Sequence, residues 1–215
     1  LGAGLKGVFV SYRRNYDGAQ TMYIATRLLS ADCYLDEFSS YGGGCFGVMS
    51  GGRFIPEPSP VNPDAGLFNR TLSPIAGSGI DLNKSRIMLL RSYPGMDYSA
   101  VNPEGFAAVI NYGYHCATAC AEGEHTSLLR FAGRCGERGA HLWLSSFKRG
   151  ESEIYSSQTE TERLGIGRFY DMSPEAAYVK AVLAYNLPFD EPDEFMRDCV
   201  YYEMPGYELS ERSRW

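Results

Sequence analysis

The stretch YSSQTETERLGIGRFYDMSPEAAYVKAVLAY, residues 155–185, holds the best-marked helix of the chain. Ser173 stands where an N-cap belongs, with a hydroxyl that can accept an N–H of the first turn. Pro174 follows at the first helical position, where its missing N–H costs nothing. Glu175 places a negative charge at the positive end of the helix dipole. Ala176, Val179, Lys180 and Leu183 recur at three- and four-residue steps, with Ala177, Tyr178, Ala181, Val182 and Ala184 between them. The helix therefore has a broad apolar face and packs on something. Asn186, Leu187 and Pro188 end it.

Working outward from this helix, 151–167 reads as a short helix that stops at Gly165. HLWLSSF (141–147) reads as a strand. TSLLRFAGRCGERGA (126–140) is amphipathic, with Thr126 or Ser127 as cap and Gly139 as stop. GFAAVINYGY (105–114) and RIMLLRSYPGMD (86–97) are strands, the second ended by Pro94-Gly95. Strand–helix alternation of this kind predicts a parallel sheet, whose functional loops lie past the carboxyl ends of the strands. Those loops are 92–97, 113–125 and 146–158. Further upstream the rhythm differs. LKGVFVSY (5–12) and TMYIATRL (21–28) read as strands, and CFGVMSGGRFI (45–55) as two short strands about a Gly51-Gly52 hairpin. Residues 56–84, opening on four prolines in eight residues, read as an extended connection. The acidic, aromatic tail from Phe189 onward carries one more helix near 190–202.

Composition narrows the function classes. The chain has 215 residues, 44% of them hydrophobic, enough for a packed core of one or two domains. A net charge of −6, with the basic residues scattered, gives a nucleic-acid role no electrostatic support. No apolar run approaches the ~18 residues of a membrane-spanning helix, so no membrane is expected. No basic segment precedes an apolar one in the manner of a signal peptide, and the expected location is cytoplasmic. The six cysteines are irregularly spaced, and reduced thiols are expected rather than a disulfide framework. Cys116 and Cys120, flanked by His115 and His125, lack the two-residue spacing common in zinc sites, so no metal or other cofactor is expected. No nucleophile-elbow pattern occurs, and the paired acids Glu122/Glu124 and Glu160/Glu162 sit at a two-residue spacing that does not align them on a helix.

Taken in order, several of these stretches resemble the bacterial-type L-asparaginase family. RIMLLRSYPGMD, YHCATA, SLLRFAGRCGERGAHLWLSSF and the opening segment resemble its C-terminal domain, and the most specific part is the Gly-Ile pair followed by Asp-Met-Ser-Pro-Glu-Ala-Ala. KGVFVSYRRN, YLDEFSS and FGVMSGGRF resemble the last part of the larger N-terminal domain. The resemblance implies an α/β fold: a partial N-terminal α/β domain (1–55), a linker (56–84), a small parallel-sheet, flavodoxin-like C-terminal domain (85–187) and an extension (188–215). It also implies an amidohydrolase that converts L-asparagine to L-aspartate and ammonia, assembled as a homodimer or tetramer. Family enzymes use a Thr nucleophile in Thr-Gly-Gly-Thr, a Thr-Asp pair and a Lys. No Thr-Gly-Gly or Thr-Asp occurs here, and Ser30 or Ala31 stands where the Lys is expected. No catalytic residue is therefore identifiable in this chain, and the resemblance implies that it is the C-terminal part of such an enzyme, inactive alone. Two of its loops would approach a neighbouring subunit's site, one through His115 and Thr118, the other through Tyr155 beside Ser156 and Ser157. In the first loop Cys116 and Ala117 replace a Ser and a Gly, and losing the Gly narrows the backbone options. Read from the residues alone, His115 is either a hydrogen-bonded loop histidine or a base, and Tyr155 either a packing or a substrate-side residue. The alternative to an enzyme is a non-catalytic, asparaginase-like binding or assembly protein, which the absent Lys favours.

Overall fold

The computed structural model describes residues 5–31, 34, 37–64, 66, 81–114, 117–147 and 156–206. Two compact units emerge: Leu1–Ser78 with Asp198–Trp215, and Gly79–Arg197. One unit carries an antiparallel sheet and the other a parallel one, so the protein is mixed α/β.

In the first unit, β1 (Phe9–Arg13), β2 (Gln20–Ile24), β5 (Gly47–Ser50) and β6 (Arg53–Pro56) form a sheet in the order β1-β2-β5-β6, every neighbour antiparallel. A two-residue ribbon pairs β3 (Leu28–Leu29) with β4 (Ser39–Ser40). The hairpin expected from Gly51-Gly52 forms, both glycines at positive φ (56° and 75°), as a tight two-residue turn requires. The apolar side of the sheet is held by Phe46, stacked between Phe9 at 5.6 Å and Phe54 at 5.3 Å. The strand expected over 21–28 stops at Ile24, because Ala25–Arg27 turn in a 3-10 helix that carries Arg27 inward, where it is 1% exposed. There its Nε donates to the carbonyl of Tyr202 and its Nη1 to that of Val61 at 2.8 Å. Burial lowers this guanidinium to about 10, against the upward pull of Cys199 and Glu203. Thr26 adds a hydrogen bond to the Tyr201 carbonyl at 2.8 Å. The turn that offers these carbonyls is kept in shape by Glu203, whose carboxylate accepts from the N–H groups of Val200 and Tyr201 at 3.2 and 2.7 Å.

In the second unit, β7 (Arg86–Arg91), β8 (Phe106–Tyr112), β9 (His141–Phe147) and β10 (Gly167–Tyr170) lie side by side in chain order, all parallel. The expected alternation is present: α1 (Leu128–Glu137) joins β8 to β9, α2 (Ser156–Arg163) precedes β10, and α3 (Pro174–Asn186) follows it. Successive strand residues face opposite sides of a sheet. Leu142 and Leu144 of β9 join Val109, Phe131 and Cys135 in one core beneath α1. Trp143, between them, points the other way and donates its indole N–H to the Tyr185 hydroxyl of α3 at 3.0 Å. Helices α1 and α3 therefore cover opposite faces.

The α3 start is as its sequence implies: Ser173 Oγ accepts from Ala176 N at 3.1 Å, with Pro174 in the first turn. Its buried face is mostly alanine (Ala177, Ala181, Ala184), which brings the helix close to β7 and β8. At its end Asn186 accepts from Ser85 N at 2.6 Å and donates to Ser85 O at 3.1 Å, tying the helix to the start of β7. The helix expected over 190–202 is shorter, α4 (Pro192–Arg197), which packs on α3 and β10. It ends where the chain passes into the first unit.

Candidate functional site

The carboxyl ends of the parallel strands meet in a buried polar cluster. Ser92 immediately follows β7, and its N–H donates to Tyr112 O of β8 at 2.8 Å. Asp97 caps a turn of 3-10 helix at Tyr98–Ala100, accepting from Ser99 N at 2.8 Å, and this turn drives the Tyr98 ring inward to stack on Phe131 at 5.4 Å. The Tyr98 hydroxyl then lies 2.6 Å from Ser92 Oγ and 3.4 Å from Asn111 Oδ1, while Asn111 Nδ2 donates to Ser92 Oγ at 3.1 Å. All three side chains are buried. Burial raises the Tyr98 hydroxyl above its ordinary value, and its bonds to Ser92 and Asn111 only partly offset this. The phenol stays neutral, and Ser92 has an amide and a phenol for partners rather than a base. The cluster braces the ends of β7 and β8 and has no group that would activate a nucleophile.

Next to it stands the loop that follows β8. Gly113 donates its N–H to Ser145 O of β9 at 3.0 Å, and a Cβ there would come within 2.7 Å of Thr118 O. The loop closes on itself through Tyr114 N to Thr118 O at 2.7 Å and Ala117 N to Tyr114 O at 3.1 Å. Ala117 takes φ +55°, the left-handed conformation in which a Cβ costs about 1–2 kcal/mol. The position where the family pattern has glycine is thus one whose backbone favours glycine. Thr118 is half-buried within this loop, and it is the described member of the sequence-predicted site. His115 and Tyr155 lie outside the described residues, as does Cys116. Cys120 Sγ is 3.3 Å from Glu122 O and 3.6 Å from Thr126 Oγ1. The crevice beneath it, edged by Ala117, Leu128 and Thr161, measures about 10 Å³ and has room for one water at most. Among the described residues, no three His, Cys, Asp or Glu side chains gather as a metal site would need.

A second arrangement lies nearby on the surface. Ser99 Oγ donates to Asp97 Oδ1 at 2.5 Å and sits 3.2 Å from His125 Nδ1. The order is wrong for a catalytic triad, in which the histidine stands between the hydroxyl and the acid. Here the serine stands in the middle, its proton committed to the carboxylate. Asp97 is held below the usual carboxylate range, chiefly by its bonds from Ser99.

Sequence reasoning missed the Ser92–Tyr98–Asn111 cluster, although one signal was available: Asn111 is a polar residue inside an otherwise apolar strand. The expected lysine has no substitute close by in sequence, since residues 7–83 contain none and Ser30 is exposed.

No family model matches the chain, and no curated protein does. Solved structures do. The chain is similar to the thermostable L-asparaginase from Thermococcus kodakarensis, with a TM-score of 0.62 and 16% identity over 94% of this chain and 58% of that one. It is also similar to L-asparaginase I from Vibrio cholerae O1 biovar eltor str. N16961, with a TM-score of 0.58 and 16% identity over 92% of this chain and 56% of that one. The chain therefore spans less than three-fifths of the length of these two enzymes. At that identity the likeness is one of fold, and the fold is asparaginase-like.

Proposed function

We propose that this chain is the C-terminal part of an asparaginase-type amidohydrolase, which hydrolyses L-asparagine to L-aspartate and ammonia in the cytoplasm as a homodimer or tetramer. The observation that carries the reading is the fold likeness over nearly the whole chain. The residues present supply a scaffold and a loop, not the chemistry. The catalytic Thr and the Thr-Asp pair would come from outside the chain, whereas the Lys is expected within it, where Ser30 or Ala31 stands instead. The loop after β8, with His115 and Thr118, and the segment at Tyr155 would complete the site of a neighbouring subunit. The isolated chain is expected to release no ammonia from L-asparagine above the blank, and steady release would refute this division of labour. The protein from its native source is expected to have an intact mass well above 23.9 kDa and to turn over L-asparagine. A native mass equal to 23.9 kDa would overturn the reading.

A second reading, a non-catalytic asparaginase-like binding or assembly protein, is favoured by Ser30 and Ala31 where a lysine is expected. It gains if the native protein binds L-aspartate and never turns over asparagine.

A further inference from the structure

Away from the carboxyl-end loops, at the amino ends of β9 and β10, lies a cleft of about 430 Å³, within the size range of small-molecule sites. We propose that it binds a free α-amino acid with an apolar side chain.

The charge pattern comes first. Asp193 and Arg197 lie one turn apart on α4, and both line the cleft. Side chains four residues apart on a helix normally face each other, yet these two do not pair. Asp193 is held elsewhere: its Oδ1 accepts from the Tyr185 hydroxyl at 2.8 Å and lies 3.5 Å from His141 Nδ1. Tyr185 is in turn anchored by the Trp143 indole N–H. Arg197 makes no ion pair among the described residues, and its guanidinium rests 5.3 Å over the Trp143 ring. The cleft thus offers one fixed carboxylate and one cation still able to take a carboxylate in its fork. A simple anion would meet Asp193 and a simple amine would meet Arg197. A zwitterion satisfies both.

The walls supply the rest. Leu164 is 55% exposed at the rim, with Ile166 and Ala132 beside it, an apolar lining for a side chain. Gly133 and Gly136 of α1 also face the cleft, and a Cβ on either would meet nothing within 4 Å. Neither is at positive φ. Glycine inside a helix is costlier than alanine, and no neighbour within the unit needs the space. An occupant of the cleft does.

Indole fluorescence tests this in the whole chain carrying Trp215→Phe, which leaves Trp143 as the reporter, since the chain has two tryptophans. L-Leucine is expected to give a saturable change. N-acetyl-L-leucine and L-leucinamide, each lacking one charge, are expected to bind about tenfold more weakly or worse. Arg197→Gln should erase the difference between L-leucine and L-leucinamide. Gly133→Leu should fill the cleft and abolish the response, and the milder Gly133→Ala should weaken it while raising the melting temperature. An absent or unsaturable change overturns the proposal, as does equal binding of L-leucinamide or an undiminished response in both Gly133 variants. Loss of self-association in Gly133→Leu would assign the cleft to a second copy of the chain and also overturn it.

Discussion

Gly167→Ala isolates the contact on which the second unit's sheet turns. Gly167 opens β10 and pairs with Trp143 of β9. A methyl group at 167 would lie 2.3, 2.5 and 2.7 Å from three atoms of the Trp143 ring. Ordinary carbon contacts are ~3.5–4 Å, so the ring would have to retreat by about 1 Å. It cannot do so freely. Phe169 stacks on it at 4.9 Å, its N–H is bonded to Tyr185, and only 1% of its surface is exposed. Overpacking of a rigid core costs about 1–3 kcal/mol, and this geometry belongs at the upper end. Removing a glycine from a strand returns about 0.5–1 kcal/mol, which leaves a net loss of about 2 kcal/mol, or a fall of about 4–8 °C in melting temperature. Thermal and urea unfolding of the whole chain, followed by circular dichroism and indole fluorescence, measures it. Gly165→Ala is the control: φ is +67° but nothing lies within 4 Å of the added Cβ, so its cost of about 1 kcal/mol is that of the backbone alone. If Gly167→Ala is as stable as the parent, or costs no more than Gly165→Ala, the ring contact is not what fixes Gly167.

Two further outcomes follow from buried groups. Asn111→Leu should lower stability by about 2 kcal/mol, read from the urea midpoint, because it strips the Ser92 and Tyr98 hydroxyls of an amide partner and leaves them only each other; an unchanged midpoint would mean the cluster is replaceable by packing. Burial raises the Cys135 thiol from 9.0 to about 11. A folded-state value above the unfolded one gives stability that is complete below about pH 9 and lost as pH rises toward 11. Stability should decline over that window, and Cys135→Ala should flatten the decline; a profile identical in the two proteins would refute the assignment.

Elements whose signals are local were legible in the sequence. Ser173-Pro174-Glu175 marked the start of α3, Gly51-Gly52 the β5–β6 hairpin, and the alternation from Arg86 onward the parallel sheet. Signals that depend on distant partners were not. Nothing in TMYIATRL says that the strand ends at Ile24, because the cause is Arg27 reaching the Tyr202 and Val61 carbonyls. The tail helix was overextended because past Arg197 the chain follows contacts of the first unit rather than its own periodicity. At the strand ends, the pattern did not point to Ser92, Tyr98 and Asn111, whose meeting depends on a turn bringing one ring across. The amino-end cleft had no linear signature, since its charges come from α4 and its bare wall from α1.

The Tyr201 and Tyr202 carbonyls that receive Thr26 and the Arg27 Nε lie 175 residues further along the chain. That separation has a consequence for synthesis. On a ribosome adding ~5–20 residues per second, Arg27 waits roughly 10–35 s after its own synthesis for the Tyr202 carbonyl to be made. The second unit, contiguous from Gly79 to Arg197, has all its strands by then and can close on local contacts. Of the two units, the first is thus begun earlier and finished later. In the interval Arg27 stays solvated, and the Ile24–Phe46 core that Tyr202 completes is open to whatever holds nascent chains.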